Sequence, residues 1–235
     1  NSSVRVDRSK PVISGITLVS SNDNGSWAKS GDNLTLDFTT SEVVQRPSVM
    51  LAGSSLHADN TSHSGKQWRL VYPVQSGDNG TVDLDFSVKD LAGNVSDNVT
   101  QDNASLITID TQKPVLDNVT FVSSNTFNSS FAKAGDNLTL RFTTVSAESI
   151  QEPTVLIENQ SVTVNHSGGF WEAVYPVTLS DLGTADYLIA FSDFAGNAGD
   201  NVTGPSLAGQ ITLDNSEPYL TLVQMSSDND NNSYL

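Results

Sequence analysis

The chain states one pattern twice and begins it a third time. Asp7-Arg8-Ser9-Lys10-Pro11-Val12 returns as Asp110-Thr111-Gln112-Lys113-Pro114-Val115 and again as Asp214-Asn215-Ser216-Glu217-Pro218-Tyr219, at intervals of 103 and 104 residues. Other markers keep the register. Ala28-Lys29-Ser30-Gly31-Asp32-Asn33-Leu34-Thr35-Leu36 matches Ala132-Lys133-Ala134-Gly135-Asp136-Asn137-Leu138-Thr139-Leu140, and Asp90-Leu91-Ala92-Gly93-Asn94 matches Asp193-Phe194-Ala195-Gly196-Asn197. A unit of roughly 100 residues is too long for a solenoid repeat and suits one small sandwich domain.

Alternation supplies the fold class. Val82, Leu84, Phe86 and Val88 share one face of Thr81–Lys89, with charges opposite; Leu34, Leu36 and Phe38 do the same within 33–39, repeated by Leu138, Leu140 and Phe142. Further strands are expected at 16–19, 49–51, 68–74 and 106–109, between Gly, Asn, Asp and Pro turns. About seven short strands per unit predict an all-β chain of tandem Ig-like antiparallel β-sandwiches, with Asp-x-Ala-Gly-Asn as the loop between the last two strands, at the pole facing the preceding domain.

The phase of the repeat divides the chain into residues 1–7, the last strand of a preceding repeat; 8–110 and 111–214, two whole Ig-like domains; and 215–235, which open a following repeat. Val4 and Val6 stand where Ile107 and Ile109 stand, and Val223, Met225 and Tyr234 where Val119, Phe121 and Phe131 stand. Either the chain is a window on a longer array, or its two overhanging segments complete neighbouring subunits by strand addition.

Composition excludes several classes of function. The chain has no cysteine, which removes disulfides, thiolate nucleophiles and cysteine-ligated metals. Its formal charge of -16, with 27 Asp and Glu against 11 Lys and Arg, repels phosphate backbones, so nucleic acid is not an expected partner. No run reaches the roughly 18 apolar residues of a membrane span. Acidic surfaces rich in Ser, Thr, Asn and Asp suit the cell exterior. There is no Gly-x-Ser-x-Gly elbow, His-Glu-x-x-His pair or phosphate-cradling glycine loop. His63-Ser64-Gly65 and His166-Ser167-Gly168 precede Trp68 and Trp171 at one register position and read as a shared turn, so no enzymatic activity is expected.

The frame of Asp-x-x-x-Pro, Gly-Asp-x-Leu-Thr-Leu, Thr39-Thr40-Ser41-Glu42 and Asp-x-Ala-Gly-Asn resembles the bacterial Ig-like, cadherin-like repeats of large surface adhesins and filaments. The resemblance covers essentially the whole chain. It implies modules that serve as stalks, spacers or binding tips.

Two site classes follow from the residues. Asn is followed by x-Ser or x-Thr at 15 of its 21 occurrences, where the 54 Ser and Thr would supply about five by chance. Covalent N-linked glycans are therefore expected at Asn24, Asn33, Asn60, Asn79, Asn98, Asn118, Asn128, Asn137, Asn165, Asn201 and Asn231. Asn24, Asn128 and Asn231 occupy one register position, each with an aromatic three residues on: Trp27, Phe131 and Tyr234. That aromatic either covers the apolar face of the first sugar ring or plugs the core at the sandwich edge.

The interdomain pole collects oxygens: Asp7, Glu42, Asp90 and Asn94 for the first domain, Asp110, Glu148, Asp193 and Asn197 for the second. Hard oxygens from a linker and two loops are what calcium accepts, and an ion there would stiffen the hinge; the competing reading is that Asp and Asn simply shape the turns. Three functions remain: a structural, glycosylated extracellular filament or stalk built of identical or similar repeats end to end, needing no cofactor; a calcium-stiffened cell-surface adhesin module; and a carbohydrate-binding module using Trp27, Trp68 or Trp171. The shared register of Trp68 and Trp171 within an alternating strand favours the core for those two.

Overall fold

The computed structural model describes residues 6–60, 65–100, 106–204 and 210–225. The first half folds as Ile13–Ser20 (β1), Trp27–Ala28 (β2), Asn33–Thr40 (β3), Ser48–Leu51 (β4), Ser54–His57 (β5), Asp59–Asn60 (β6), Gln67–Pro73 (β7), Gly80–Thr81 (β8), Leu84–Phe86 (β9), Val99–Thr100 (β10) and Thr108–Ile109 (β11). The second half repeats this with Leu116–Ser123 (β12), Phe131–Ala132 (β13), Asn137–Thr144 (β14), Thr154–Ile157 (β15), Gln160–Val162 (β16), Val164–Ser167 (β17), Phe170–Pro176 (β18), Gly183–Thr184 (β19), Tyr187–Ala190 (β20), Val202–Gly204 (β21) and Thr212–Leu213 (β22).

Each half closes two four-stranded sheets face to face. The orders are β1-β3-β7-β6 and β10-β9-β4-β5 in the first, β12-β14-β18-β17 and β16-β15-β20-β21 in the second. A small third sheet ties each sandwich at one end, where β2 runs parallel to β11 and β13 parallel to β22. The molecule is all-β and Ig-like as the alternation predicts, though these short parallel pairs depart from a purely antiparallel scheme. Residues 81–89 form two short strands instead of one. The inward parity still holds, with Val82 1%, Leu84 6%, Phe86 3% and Val88 1% exposed.

The buried side chains fall into two clusters, one from Ala28 to Ile109 and one from Ala132 to Leu213, so each sandwich encloses its own core. Leu34, Leu36, Leu138, Leu140 and Phe142 are fully buried, placed inward by strand alternation. Near the end of each domain a tyrosine hydroxyl donates to a turn carboxylate: Tyr72 to Asp78 at 2.6 Å and Tyr175 to Asp181 at 3.0 Å. Burial, and then the Asp181 bond and charge, push Tyr175 up to about 12.

β1 and β12 carry matching bulges. The bulged residue adopts positive φ, +60° at Gly15 and +49° at Asn118, an αL conformation that glycine and asparagine tolerate best. A second difference lies after β3 and β14. Thr40 Oγ1 donates to the Glu42 carbonyl, and Thr144 Oγ1 to the Glu148 carbonyl, so the two glutamates are equivalent despite two extra residues in the second copy. The 3-10 turn Val145–Ala147 absorbs them, with Ser146 and Ala147 at φ +57° and +55°.

Candidate functional site

The two sandwiches meet through a loop seated on a pole. Asp193 and Asn197 staple the Asp193–Asn197 loop: the Asn197 N–H donates to Asp193 Oδ1 at 2.8 Å, and the Asn197 Nδ2 to Asp193 Oδ2 at 2.8 Å. Gly196 supplies the turn at φ +83°. So folded, the loop presents three successive carbonyls to the first domain. Asn24 Nδ2 donates to the Phe194 carbonyl at 3.4 Å, Asn22 Nδ2 to the Ala195 carbonyl at 2.9 Å, and Lys29 Nζ to the Gly196 carbonyl at 2.8 Å. The Phe194 ring stacks on Trp27 with centroids 6.5 Å apart and planes at 22°.

The donors are held before they reach across. Asp32 Oδ2 accepts from Asn22 Nδ2 at 2.7 Å and from the Lys29 backbone N–H at 2.8 Å, and Asn24 Oδ1 accepts from the Ser26 N–H. A cleft of about 1120 Å³ opens beside this contact, with Asn24, Asp32, Glu148, Trp171 and Phe194 among its walls.

The structure draws together the carboxylates that the sequence groups. Asp7, Glu42 and Asp90 each offer an oxygen within 4.8 Å of the others, as do Asp110, Glu148 and Asp193. Asp90 and Asp193 are buried, at 1% and 2% exposed, and the others lie nearer the surface. Burial pushes the Glu148 carboxyl up, and the neighbouring charges of Asp110 and Asp193 push it further. Burial also works against the charged form of Asp90. Hydrogen bonds from the Asn94 side chain and from the N–H groups of Asn94, Gly93 and Ala92 outweigh it and hold that carboxyl below its usual range.

Asn94 and Asn197 do not aim their carbonyls into these triads. Asn94 Nδ2 donates to Asp90 Oδ2 and the Asp7 carbonyl, and Asn197 Nδ2 to Asp193 Oδ2 and the Asp110 carbonyl. They staple loop to linker, because an ionised carboxylate takes the donor end of an amide. The linkers are shaped by Asx turns: Asp7, Asp110 and Asp214 each accept the N–H two residues on. The acidic oxygens gathered at each pole are thus those of three carboxylates.

The sequon asparagines lie on the surface. Asn24, Asn33, Asn79, Asn98, Asn118, Asn128, Asn137, Asn165 and Asn201 are all exposed. Asn33 and Asn137 begin β3 and β14. Five of the nine have structural bonds: Asn24 donates to the Phe194 carbonyl, Asn128 accepts from the Ser130 N–H, Asn98 donates to Asp85, Asn118 to Asp117 and Thr143, and Asn79 accepts from Thr111. Asn60 lies in β6. Asn231 and Tyr234 fall outside the described residues. Trp27 faces Phe194 of the next domain, and Phe131 is 42% exposed. Trp68 is 5% exposed, whereas Trp171 is half-buried and stacks on His166 with centroids 4.4 Å apart.

Asn22 and Lys29, the donors of the shortest bonds across the joint, belong to no motif that points to binding. Their signal lies in the repeat, where Lys29 and Lys133 occupy one place in Ala-Lys-x-Gly-Asp and Asn22 stands ten residues before Asp32, as Asn125 stands eleven before Asp136.

No family model matches the chain, and no curated protein matches it. Among solved structures, a 1.5-MDa bacterial ice-binding adhesin, described for its retention at the host cell surface, is similar over 88% of this chain and 66% of its own, with TM-score 0.50 and 18% identity. The fibronectin(III)-like modules of Clostridium thermocellum CbhA align over 89% of this chain and 100% of theirs, with TM-score 0.39 and 11% identity. Titin Ig tandem domains A164-A165 align over 88% and 99%, with TM-score 0.28 and 13% identity. The fold is that of Ig-like β-sandwich modules. Among the described residues no helix is long and apolar enough to cross a membrane.

Proposed function

We propose that the chain is a structural, non-enzymatic repeat segment of an extracellular filament or surface stalk, in which Ig-like beads stand end to end and carry N-linked glycans. The observation that carries this reading is the joint. Three side chains grip three consecutive backbone carbonyls while an aromatic pair packs beside them, so the contact resists bending as well as separation. Interdomain contacts within one chain are ordinarily mobile, and a joint of this kind removes that mobility. The surface position of seven sequon asparagines away from the joint and its equivalent, Asn33, Asn79, Asn98, Asn118, Asn137, Asn165 and Asn201, supports the glycan coat, because a bulky sugar there displaces no core side chain, whereas Asn24 and Asn128 stay bare in this reading. A coat of this kind would also mask the edges of the sheets. Intact-mass analysis of native material decides the glycan part: a mass equal to the bare polypeptide removes it.

A second reading, a calcium-stiffened adhesin module, is favoured by the two equivalent carboxylate triads. Three carboxylates this close repel one another, and a divalent cation with hard-oxygen preference would relieve the repulsion at each pole. Thermal unfolding with and without EDTA tests it, and an unmoved melt counts against calcium. The carbohydrate-binding alternative keeps little support at Trp68, which is enclosed in the first core.

A further inference from the structure

We propose that the far pole of the second domain is a docking seat for the Asp-x-Ala-Gly-Asn loop of a further repeat of this kind, and that the Asp90–Asn94 loop of the first domain is a plug for such a seat. The inference rests on the end-to-end reading above and specifies its contact surface. Its warrant is the joint inside the chain, whose two halves recur, each ready-made, at the opposite ends.

The seat is already assembled in the second domain. Asn125 Nδ2 donates to Asp136 Oδ2 at 2.9 Å, the Lys133 N–H donates to the same oxygen at 2.9 Å, and Asn128 Oδ1 accepts from the Ser130 N–H at 3.0 Å. These repeat the bonds that hold Asn22, Lys29 and Asn24 in the first domain. The plug is assembled in the first domain as well. Asn94 clasps Asp90 through its N–H and Nδ2, both at 2.7 Å, and Gly93 turns the loop at φ +98°. Preformed partners lose little freedom on meeting.

Exposure shows what each half lacks. Ala195, inside the joint, is 1% exposed, while its equivalent Ala92 is exposed. Phe194 is 42% exposed against Trp27, whereas Leu91 is 73% exposed. At the other end Lys29 is half-buried on Gly196, but Lys133 is exposed. The second seat also holds Thr126-Phe127 where the first has Asp23, and Phe127 is 95% exposed beside the place an incoming apolar loop residue would take.

A graft within the existing joint tests the pairing. Because the chain has no cysteine, Ser55→Cys and Ser161→Cys place one spin label in each domain. Residues 22–29 are replaced by the sequence of 125–133 and Phe194 by Leu, so that a second-domain seat meets a first-domain plug. The expected result is an interdomain distance distribution as narrow as wild type. The control, Asn22→Ala with Lys29→Ala, should broaden roughly twofold or more, as for domains released to default mobility. A graft as broad as the control overturns the inference, and so does a control as narrow as wild type. A broad distribution in the wild type sinks the rod reading instead, which separates the two failures. If the graft lowers the melting of the first domain, Trp27→Phe with Phe194→Leu keeps the native segment length and repeats the test.

Discussion

The two cores fill one frame with different side chains, and the exchange is compensated in space. The inward face that is Val82, Leu84, Phe86 and Val88 in the first domain is Ala185, Tyr187, Ile189 and Phe191 in the second. In the first, Phe86 tilts against Phe38 with centroids 4.8 Å apart; in the second the aromatic pair has moved to Phe121 and Tyr187, 5.0 Å apart. The larger rings need room from their neighbours, and glycine provides it. A Cβ on Gly199 would meet the Phe191 ring at 2.2 Å, and one on Gly204 the Tyr187 ring at 2.1 Å. At the place of Gly199 the first domain has Ser96, whose hydroxyl accepts from the Val88 N–H at 3.0 Å. Interiors packed to crystal density fix total volume locally, so the repeats share a fold without having interchangeable residues.

The largest effect is expected where the two cores share a residue type. Leu138→Ala empties a fully buried site in the second domain and should cost about 2–5 kcal/mol. Because the clusters are separate, calorimetry should show one transition lowered and the other nearly unmoved. A single transition shifted as a whole would mean that the cores unfold together.

Next in size is the compensated pair. Gly199→Ser should destabilise the second domain by about 1–3 kcal/mol through the clash with Phe191. Adding Phe191→Val, which restores the first domain's pairing of Val88 with Ser96, should recover part of that loss, with a coupling of about 0.5–3 kcal/mol in a double-mutant cycle. Additive effects would show that the volume exchange is coincidental.

Lys29→Ala removes one carbonyl bond from the joint and should cost about 0.5–1.5 kcal/mol of docking, read as broader interdomain distances without loss of either core. Lys133→Ala removes the equivalent side chain from the open seat and should leave both melting and interdomain distance unchanged.

The smallest effect separates the poles. The folded Glu148 carboxyl lies above its usual range, so its protonated form favours the fold. The stability it contributes is present below the unfolded carboxylate range and is lost as pH rises through the folded value. Glu148→Gln should therefore raise the melting temperature at neutral pH, by less than about 1 kcal/mol equivalent for so accessible a group, and match wild type in acid. Added calcium should raise the wild-type melt more than the variant's if the triad holds the ion.

Much of this fold was legible because alternation is a local signal. Leu34, Leu36 and Phe38 report their own inward face, and the repeat supplies a second reading of every strand. The carboxylate triads were legible in part: Asp7 and Asp90 keep register with Asp110 and Asp193, but two extra residues displace Glu148 from the place of Glu42, and only the bonds from Thr40 and Thr144 identify the two glutamates as equivalent. The break in 81–89 was not, because pattern reports which face is buried but not whether backbone hydrogen bonds continue. Pattern does not report which end of Asn94 or Asn197 faces the triad, since an amide offers either end and the neighbouring carboxylate decides which. The joint was least legible of all: Asn22, Asn24 and Lys29 lie 167–173 residues from the carbonyls they bond, and the acceptors are backbone atoms that carry no residue signature.

Small-angle scattering of the chain in solution tests the end-to-end arrangement most directly. With strands rising about 3.3 Å per residue, each bead should span roughly 35–45 Å, and the expected pair-distance distribution has a second maximum at that spacing, sharpened by the joint and smeared by Asn22→Ala with Lys29→Ala. A single compact maximum, or a profile that those substitutions leave untouched, would contradict it.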